Sequence, residues 1–320
     1  SNIMKALVTG GAGFIGSHLV DKLLDLGYYV YVIDNLSSGR TEYIEKCLSD
    51  PNCQFRKCDI KEPTCLNELD NVDIIYHLAA NPDVRSSYYE PDINYYENVY
   101  ATFRVLEFAR KRSVMRIIFA SSSTVYGDAE KIPTPEEHPI RPISVYGGCK
   151  AASEALIISY ANSHKIRSII VRLANIIGPR STHGVIYDFI KKLRRDPSTL
   201  EILGDGSQKK SYLYIDDTVD AFLKLSSYMD DMEGVYDIFN VGNEDWVTVN
   251  EIADIVIEKM GLRNVKKIYR PATLDGRGWI GDVKFMLLDI SKIKRRIGWK
   301  PSIGSRRAVE LTTEYLLKQL

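Results

Sequence analysis

The sequence predicts an α/β protein, a doubly wound parallel sheet followed by a smaller α/β lobe. Two observations carry this. Short, continuously apolar runs of strand length alternate with longer helical patterns through the first half of the chain. Strands that read apolar throughout belong to a sheet covered by helices on both faces. Past about Asn175 the alternation loosens into mixed strands and helices, with no internal repeat and no low-complexity stretch, as in a second lobe. At 320 residues the chain is long enough for both, and its 45% hydrophobic content is that of a globular protein.

The elements follow in order. "KALVTG" (5–10) reads as a strand, "SHLVDKLLDLG" (17–27) as a helix and "YVYVID" (29–34) as a strand. "VDIIYHLAA" (72–80), "RIIFASSS" (116–123) and "RSIIVRLAN" (167–175) are further strands, and "VYATFRVLEFARKR" (99–112) is a helix. In the lobe a helix lies within 178–197, a strand and helix within 211–227, and a strand at 236–243. "VTVNEIADIVIEKMG" (247–261) is a helix with Thr248 as N-cap and Glu251 three residues on, the capping-box spacing. The tail gives two helices split at "GWKP" (298–301). Residues 1–174 are therefore expected to form the sheet domain and 175–320 the lobe, with segments near 211–243 returning to the sheet domain.

The turn between the first strand and first helix is "VTGGAGFIG", Val8 to Gly16. Gly11, Gly13 and Gly16 satisfy G-x-G-x-x-G, and Gly10, Gly13 and Gly16 a looser G-x-x-G-x-x-G. Without Cβ atoms such a turn is tight, admits a pyrophosphate against the backbone, and aims free N–H groups of the helix start at that anion. A glycine motif alone is weak; the strand before it and the helix after it make this one a Rossmann-type dinucleotide site. Asp34 ends the second strand 18 residues beyond Gly16, near the ~20 expected of the acid that holds the adenosine ribose. A carboxylate there accepts bonds from ribose hydroxyls and repels a 2′-phosphate, so the expected cofactor is NAD rather than NADP. Arg40 is the counter-reading, since it could neutralise such a phosphate.

The 42 basic and 42 acidic side chains cancel, which disfavours nucleic-acid and membrane-surface partners. The one basic run, "KKLRR" (Lys191 to Arg195), lies on a helix and reads as a solvated face. Five cysteines, an odd number with no C-x-x-C pair, imply neither a disulfide framework nor a zinc ribbon, and no metal site is expected. A reducing compartment follows. No apolar run approaches the ~18 residues of a membrane span, and "SNIMKALV" runs straight into the glycine turn without a signal-peptide core. The expected location is cytoplasmic, and Ser1 to Ile3, ahead of Met4, read as an expression remnant.

In "VYGGCK" a Tyr stands four residues ahead of a Lys, so on a helix the Tyr146 phenol and the Lys150 ammonium share one face. A Y-x-x-x-K pair occurs often by chance; its company gives it meaning. "TGGAGFIG", "DNLSSG" (Asp34 to Gly39), "CDI" (Cys58 to Ile60), "HLAA" (His77 to Ala80), "NVYAT" (Asn98 to Thr102), "SSSTVYG" (Ser121 to Gly127), "YGGCK" and "GDGSQ" (Gly204 to Gln208) occur in that order. Across nearly its whole length the chain thus resembles the extended short-chain dehydrogenase/reductase family, in its NAD-dependent nucleotide-sugar branch typified by UDP-glucose 4-epimerase.

The resemblance implies a catalytic set of Ser122, Tyr146 and Lys150, with Ser122 chosen over its neighbours by counting back from "TVYG". It implies cofactor contacts at Gly10, Gly13, Phe14, Ile15, Gly16, Asp34, Asn35, Ser37, Ser38, Gly39 and Leu78, and at Tyr146 and Lys150, the lysine gripping the nicotinamide ribose. Asp59 and Ile60 would border the adenine, Ala79 and Ala80 would pass the cofactor diphosphate, and Asn98 would hold the active-site helix or a water. Substrate contacts would fall to Ser122, Asn175, Val185, Lys210, Arg277 and Asp282. The implied activity is epimerisation at C4 of a nucleotide sugar, with UDP-glucose and UDP-galactose interconverted through a 4-keto intermediate. A free phenol has a pKa of about 10, so Lys150 and the nicotinamide cation are expected to lower that of Tyr146 by roughly 3 units.

Two departures bear on the substrate. After "GDGSQ" the family usually has Arg-Asp, where this chain has Lys210 and Ser211, a point charge for a bidentate fork. An R-x-G-D pattern is expected further on, but "GRGWIGD" puts Trp279 in the Arg position; Arg277 could replace it, or Trp279 could stack on a base or sugar. Met286 stands where a bulkier side chain would exclude N-acetylated sugars. A uronic acid or another nucleotide's sugar is the closest alternative substrate. A 4,6-dehydratase is disfavoured because Ser123 and Thr124 stand where resembling dehydratases carry Asp-Glu. A noncatalytic NAD-binding regulator would not need the tuned phenol. The resemblance also implies a homodimer built from helices near 96–112 and 146–163. Ala152, Ala155, Leu156 and Ser159 fall on one face of the second, a stripe that a core-facing side would equally show.

Overall fold

The computed structural model describes residues 3–320, so Ser1 and Asn2 of the expected remnant lie outside the described residues. Seven strands form one parallel sheet: β1 (Lys5–Thr9), β2 (Tyr29–Asp34), β3 (Cys53–Lys57), β4 (Ile74–His77), β5 (Arg116–Ser122), β6 (Arg167–Leu173) and β7 (Tyr236–Val241). Their order is β7-β6-β5-β4-β1-β2-β3. The winding reverses between β1 and β4, where Ala6 pairs with Val30 on one side and Ile74 on the other. A crevice opens at such a reversal, beyond the carboxyl ends of the strands.

The strands read apolar because both faces are covered. Val8, Val32, Ile118 and Val171 pack with Leu19 of helix α1 (Phe14–Asp25) and with Phe222. Leu7, Ile33, Ile75 and Ile170 point the opposite way, toward Val105 of α2 (Ala101–Arg112) and Ile157 of α3 (Val145–His164). Strand β3 is the one the apolar pattern does not announce. It is an edge strand, "CQFRK", with no fully buried residue, and an edge needs no continuous apolar run. Strand β7 comes from beyond residue 230 and pairs with β6 along its whole length.

The lobe has its own core of Phe189, Ile190, Ile252, Val256 and Val309. These belong to α4 (Val185–Arg195), the helix Val249–Lys259 and the helix Ser305–Gln319. The Thr248 hydroxyl accepts from the Glu251 N–H at 3.0 Å, the cap its spacing predicts. Helix α2 is preceded by a six-residue π-helical segment, Tyr95–Tyr100, which carries Asn98 inward.

The cysteines overturn an expectation. Disulfides join Cys47 to Cys53 and Cys58 to Cys65, with Cα separations of 5.1 and 5.7 Å, and leave Cys149 buried and free. Counting and C-x-x-C spacing miss them because a short helix and the strand after it bring 47 beside 53, and the turn after β3 brings 58 beside 65. The expectation of a reducing compartment rested on unpaired thiols and loses that support. Among the described residues no helix is long and apolar enough to cross a membrane.

Candidate active site

One continuous cleft of about 870 Å³ opens at the β1/β4 reversal and runs into the lobe. Its floor is the glycine turn. A Cβ on Gly10 would lie 2.8 Å from Ala79 Cα, and one on Gly16 would strike the Gly10 carbonyl, so two backbones meet where side chains cannot fit. Gly13 caps α1 without a side chain. The first-turn N–H groups therefore have no side-chain cap across them on the cleft side, where Gly13, Phe14, Ile15 and Gly16 all lie.

Asp34 is held for a ribose. Its Oδ2 accepts from Ala12 N at 3.0 Å and its Oδ1 from Leu36 N at 2.8 Å, which orients the carboxylate and leaves lone pairs free. Burial raises its pKa, and the two N–H bonds oppose this. Asn35, Ser37, Ser38, Asp59, Ile60, Leu78, Ala79 and Ala80 line the same arm of the cleft. Arg40 is exposed, lies over the Tyr43 ring at 5.9 Å and is absent from the cleft wall.

Two of the expected cofactor residues stand behind the wall. A Cβ on Gly39 would lie 2.7 Å from Asp34 Oδ2, so this glycine lets the loop close over the carboxylate. Asn98 is buried; its Oδ1 accepts from Asn81 N at 2.9 Å and its carbonyl from Ser153 Oγ at 3.2 Å. It thereby ties the loop after β4 to α3.

The catalytic candidates converge at the end of β5 and the start of α3. Ser144 caps α3, accepting from Gly147 N at 3.0 Å, and Tyr146 and Lys150 share the cleft-facing side one turn apart. Lys150 Nζ donates to the Ala120 carbonyl at 2.9 Å and lies 5.8 Å from the Tyr146 ring centre. Of the serine run, Ser121 donates to Glu154 at 2.5 Å, away from the phenol. Ser122 accepts from Thr124 N at 3.1 Å and from Thr124 Oγ1 at 2.8 Å. Burial pushes the Tyr146 phenol up to about 12, with the Ser122 hydroxyl opposing it. Burial also pushes Lys150 down to about 8, with Glu154 one turn later resisting. The phenol thus moves opposite to the expected direction: the protein alone removes water from the phenolate faster than it supplies charge.

On the lobe side Asn175, Val185, Lys210 and Asp282 line the cleft, and Lys210 Nζ meets Asp282 Oδ1 at 2.6 Å. Arg277 does not reach it. Its guanidinium is committed to Asp128 Oδ1 at 2.8 Å, the Asp282 carbonyl at 2.8 Å and Asp275 Oδ2 at 2.9 Å. Trp279 lines the cleft, as does Met286. Arg180 lines it too and bonds Ser17 at 3.1 Å and Asp21 at 2.9 Å, joining the lobe to α1. Tyr212 lies in the wall beside Asn175, with which it pairs directly across parallel strands, and is one of the wall residues, like Tyr43 and Tyr187, that motif reading misses.

The sequence model of the GDP-mannose 4,6 dehydratase family matches residues 7–312. The chain belongs to this family. Among its relatives a putative UDP-glucose 4-epimerase of Methanocaldococcus jannaschii is 34% identical over 97% of both chains. UDP-glucuronic acid decarboxylase 4 of Arabidopsis thaliana is also 34% identical, over 97% of this chain and 68% of its own. Of solved structures, a UDP-galactose 4-epimerase has a TM-score of 0.89 at 48% identity, covering 99% of this chain and 100% of its own. MoeE5 in complex with UDP-glucuronic acid and NAD has a TM-score of 0.85 at 30% identity, covering 99% and 100%. As a member of the family the chain is a nucleotide-sugar enzyme of the epimerase/dehydratase type.

Proposed function

We propose that the protein binds NAD and interconverts UDP-glucose and UDP-galactose at C4. The observation that carries this is the meeting of Ser122, Tyr146 and Lys150 at the foot of the glycine cleft, with Ser123 and Thr124, not an Asp-Glu pair, following Ser122. Gly10, Gly13, Gly16, Asp34 and Ala79 form the cradle NAD would fill, and Arg40 is exposed and absent from the cleft wall beside Asp34. NAD supplies a hydride acceptor and donor when bound. Tyr146 takes the proton of the 4-hydroxyl, Ser122 holds that oxygen, and Lys150 supplies the positive charge that favours the phenolate. A 4-keto sugar that turns in its pocket and regains hydrogen on the other face leaves as the epimer, with Tyr146 returning the proton. Ser123 and Thr124 carry no carboxylic acid to expel water across C5 and C6, which is why the epimerase reading is preferred to a dehydratase.

The uronic-acid relatives favour one second reading. Oxidation at C4 of UDP-glucuronic acid makes a β-keto acid, which loses carbon dioxide with no further catalyst. The deciding experiment incubates purified protein with UDP-glucose, UDP-galactose, their N-acetyl forms and UDP-glucuronic acid, with and without added NAD, followed by proton NMR. Interconversion at C4 is expected; pentose formation from UDP-glucuronic acid alone would replace this reading with the second.

A homodimer is part of the proposal. Ala152, Ala155 and Ser159 of α3 are exposed, while Cys149, Ser153, Ile157 and Ala161 face the core, so the small-residue stripe is the outer one. Tyr95, Tyr96 and Phe103 stand exposed on the neighbouring α2 side. Sedimentation equilibrium should give twice the 36.3 kDa chain mass; a monomer at micromolar concentration would reject the dimer.

A further inference from the structure

Three consecutive residues of β5 are held by three residues of α3 that stand one turn apart. Ser122 ends the strand and lines the cleft with Tyr146, the Ala120 carbonyl accepts from Lys150 Nζ at 2.9 Å, and Ser121 Oγ donates to Glu154 Oε2 at 2.5 Å. Residues 146, 150 and 154 share one face of the helix, so these contacts set its register against the strand end. Glu154 also meets a guanidinium there, and both groups are buried, 1% and 2% exposed. Arg172, the β6 partner of Ser121 across the sheet, donates from Nη2 to Glu154 Oε1 at 2.7 Å and from Nε to Oε2 at 3.1 Å. Its Nη1 donates to the Tyr126 hydroxyl at 2.9 Å and to the Glu136 carbonyl at 3.0 Å, and Tyr126 donates to Asn240 Oδ1 on β7 at 2.7 Å.

We propose that Glu154 is a positioning residue for the proposed reaction: clamped by Arg172, its carboxylate sets α3 in register with β5 and holds the Lys150 ammonium in its charged form. This rests on the reading of Ser122, Tyr146 and Lys150 as the reacting set. A buried ion pair is a poor source of net stability, because desolvation offsets the attraction. It does supply a charge of fixed position in a medium of low dielectric, where charge acts strongly. Lys150 is where such a charge matters, since burial drives its ammonium toward neutrality and Glu154 opposes this. The other groups that face it bring no negative charge. Tyr146 and Cys149 on α3 are a neutral phenol and thiol, both pushed up by burial, and His77 on β4 is a neutral imidazole. The π-helical segment packed on α3 turns its one carboxylate, Glu97, to Lys61. Arg172 on β6 is the opposing cation, and Glu154 engages it with both oxygens.

The test follows the charge of Lys150 by NMR titration of the full-length protein carrying 13C at lysine Cε, the Lys150 signal being the one missing from K150R. Wild type, E154Q and E154M/R172M are compared. E154Q strands the Arg172 charge, whereas the double variant removes both charges at similar volume, so that packing and charge are read separately. The Lys150 midpoint should lie at about 8 in wild type. It should fall by about one unit in E154Q, roughly tenfold in proton affinity, and by about threefold in proton affinity in the double variant. The high-pH limb of kcat/KM should move down with it, while KM at pH 6 stays within about twofold. A double variant that melts like wild type and keeps both its Lys150 midpoint and its pH limb overturns the assignment, since the pair would then serve packing alone. So does an E154Q that folds with its midpoint unchanged, and so does a wild-type midpoint below about 7, where the ammonium is not held. A wild type that turns over no nucleotide sugar overturns the reacting-set reading and the catalytic half of this assignment, while the midpoints still decide whether Glu154 holds the charge.

Discussion

Tyr146 and Lys150 have proton affinities that the protein alone moves apart, the phenol up to about 12 and so harder to deprotonate, the ammonium down to about 8 and so more labile. Below pH 8 the lysine is charged and the phenol neutral, so the phenolate depends on further positive charge in the cleft. Tyr146→Phe should lower turnover by roughly 10²–10⁴-fold. NAD content, read from absorbance after denaturation, should be unchanged; a variant with appreciable turnover would remove Tyr146 from the proposed chemistry. The lysine sets an upper pH limit. As the ammonium is the useful form, kcat/KM should fall as pH rises through about 8, and a profile flat to pH 9.5 would show that its charge is not used.

At the scale of elements, the two disulfides bracket β3, an edge strand with little buried surface. Each closes a short loop, which the chain-entropy account values at roughly 2 kcal/mol. Cys58 also borders the cleft arm that holds Asp59 and Ile60. Thiol titration of denatured, unreduced protein should find one thiol, Cys149, and reduction should raise this to five and lower the melting temperature by several degrees. Five thiols before reduction would mean that the pairs do not form. The π-helical segment has a comparable bracing role, since it sets Asn98 between the β4 loop and α3 and so fixes where Tyr146 stands relative to the glycine turn.

For the whole molecule the buried titratable groups govern stability against pH. His77 lies inside the sheet, 2.7 Å from Thr9 Oγ1, 2.9 Å from Thr102 Oγ1 and stacked on Phe119, and burial with the nearby Lys150 lowers its pKa to about 3. Between pH 6.5 and 3 the unfolded chain takes up a proton that the folded protein refuses. Stability from this group therefore falls as pH drops through that window, by up to roughly 1.4 kcal/mol per unit. Urea unfolding at pH 6.5 and 5 should show a steeper loss for wild type than for His77→Gln; equal slopes would mean that His77 takes up its proton in the folded protein as it does in the unfolded chain.

The sequence by itself determined the sheet strands covered on both faces, the glycine turn, the Thr248 cap and the spacing of Tyr146 and Lys150. These are local or periodic properties, written in consecutive residues. It could not reveal β3, because an edge strand has no need of an apolar face, nor the disulfide pairs, because closeness across a turn is independent of cysteine count. Tertiary structure alone decided that Arg277 faces Asp128 and Asp275 while Trp279 faces the cleft, and that Gly39 and Asn98 support the cofactor arm from behind. It also decided which face of α3 is outward. Side-chain direction in a loop depends on partners more than a hundred residues away, such as the 149 between Asp128 and Arg277. A phenol's proton affinity depends on how much water the fold excludes, which only the packed molecule fixes.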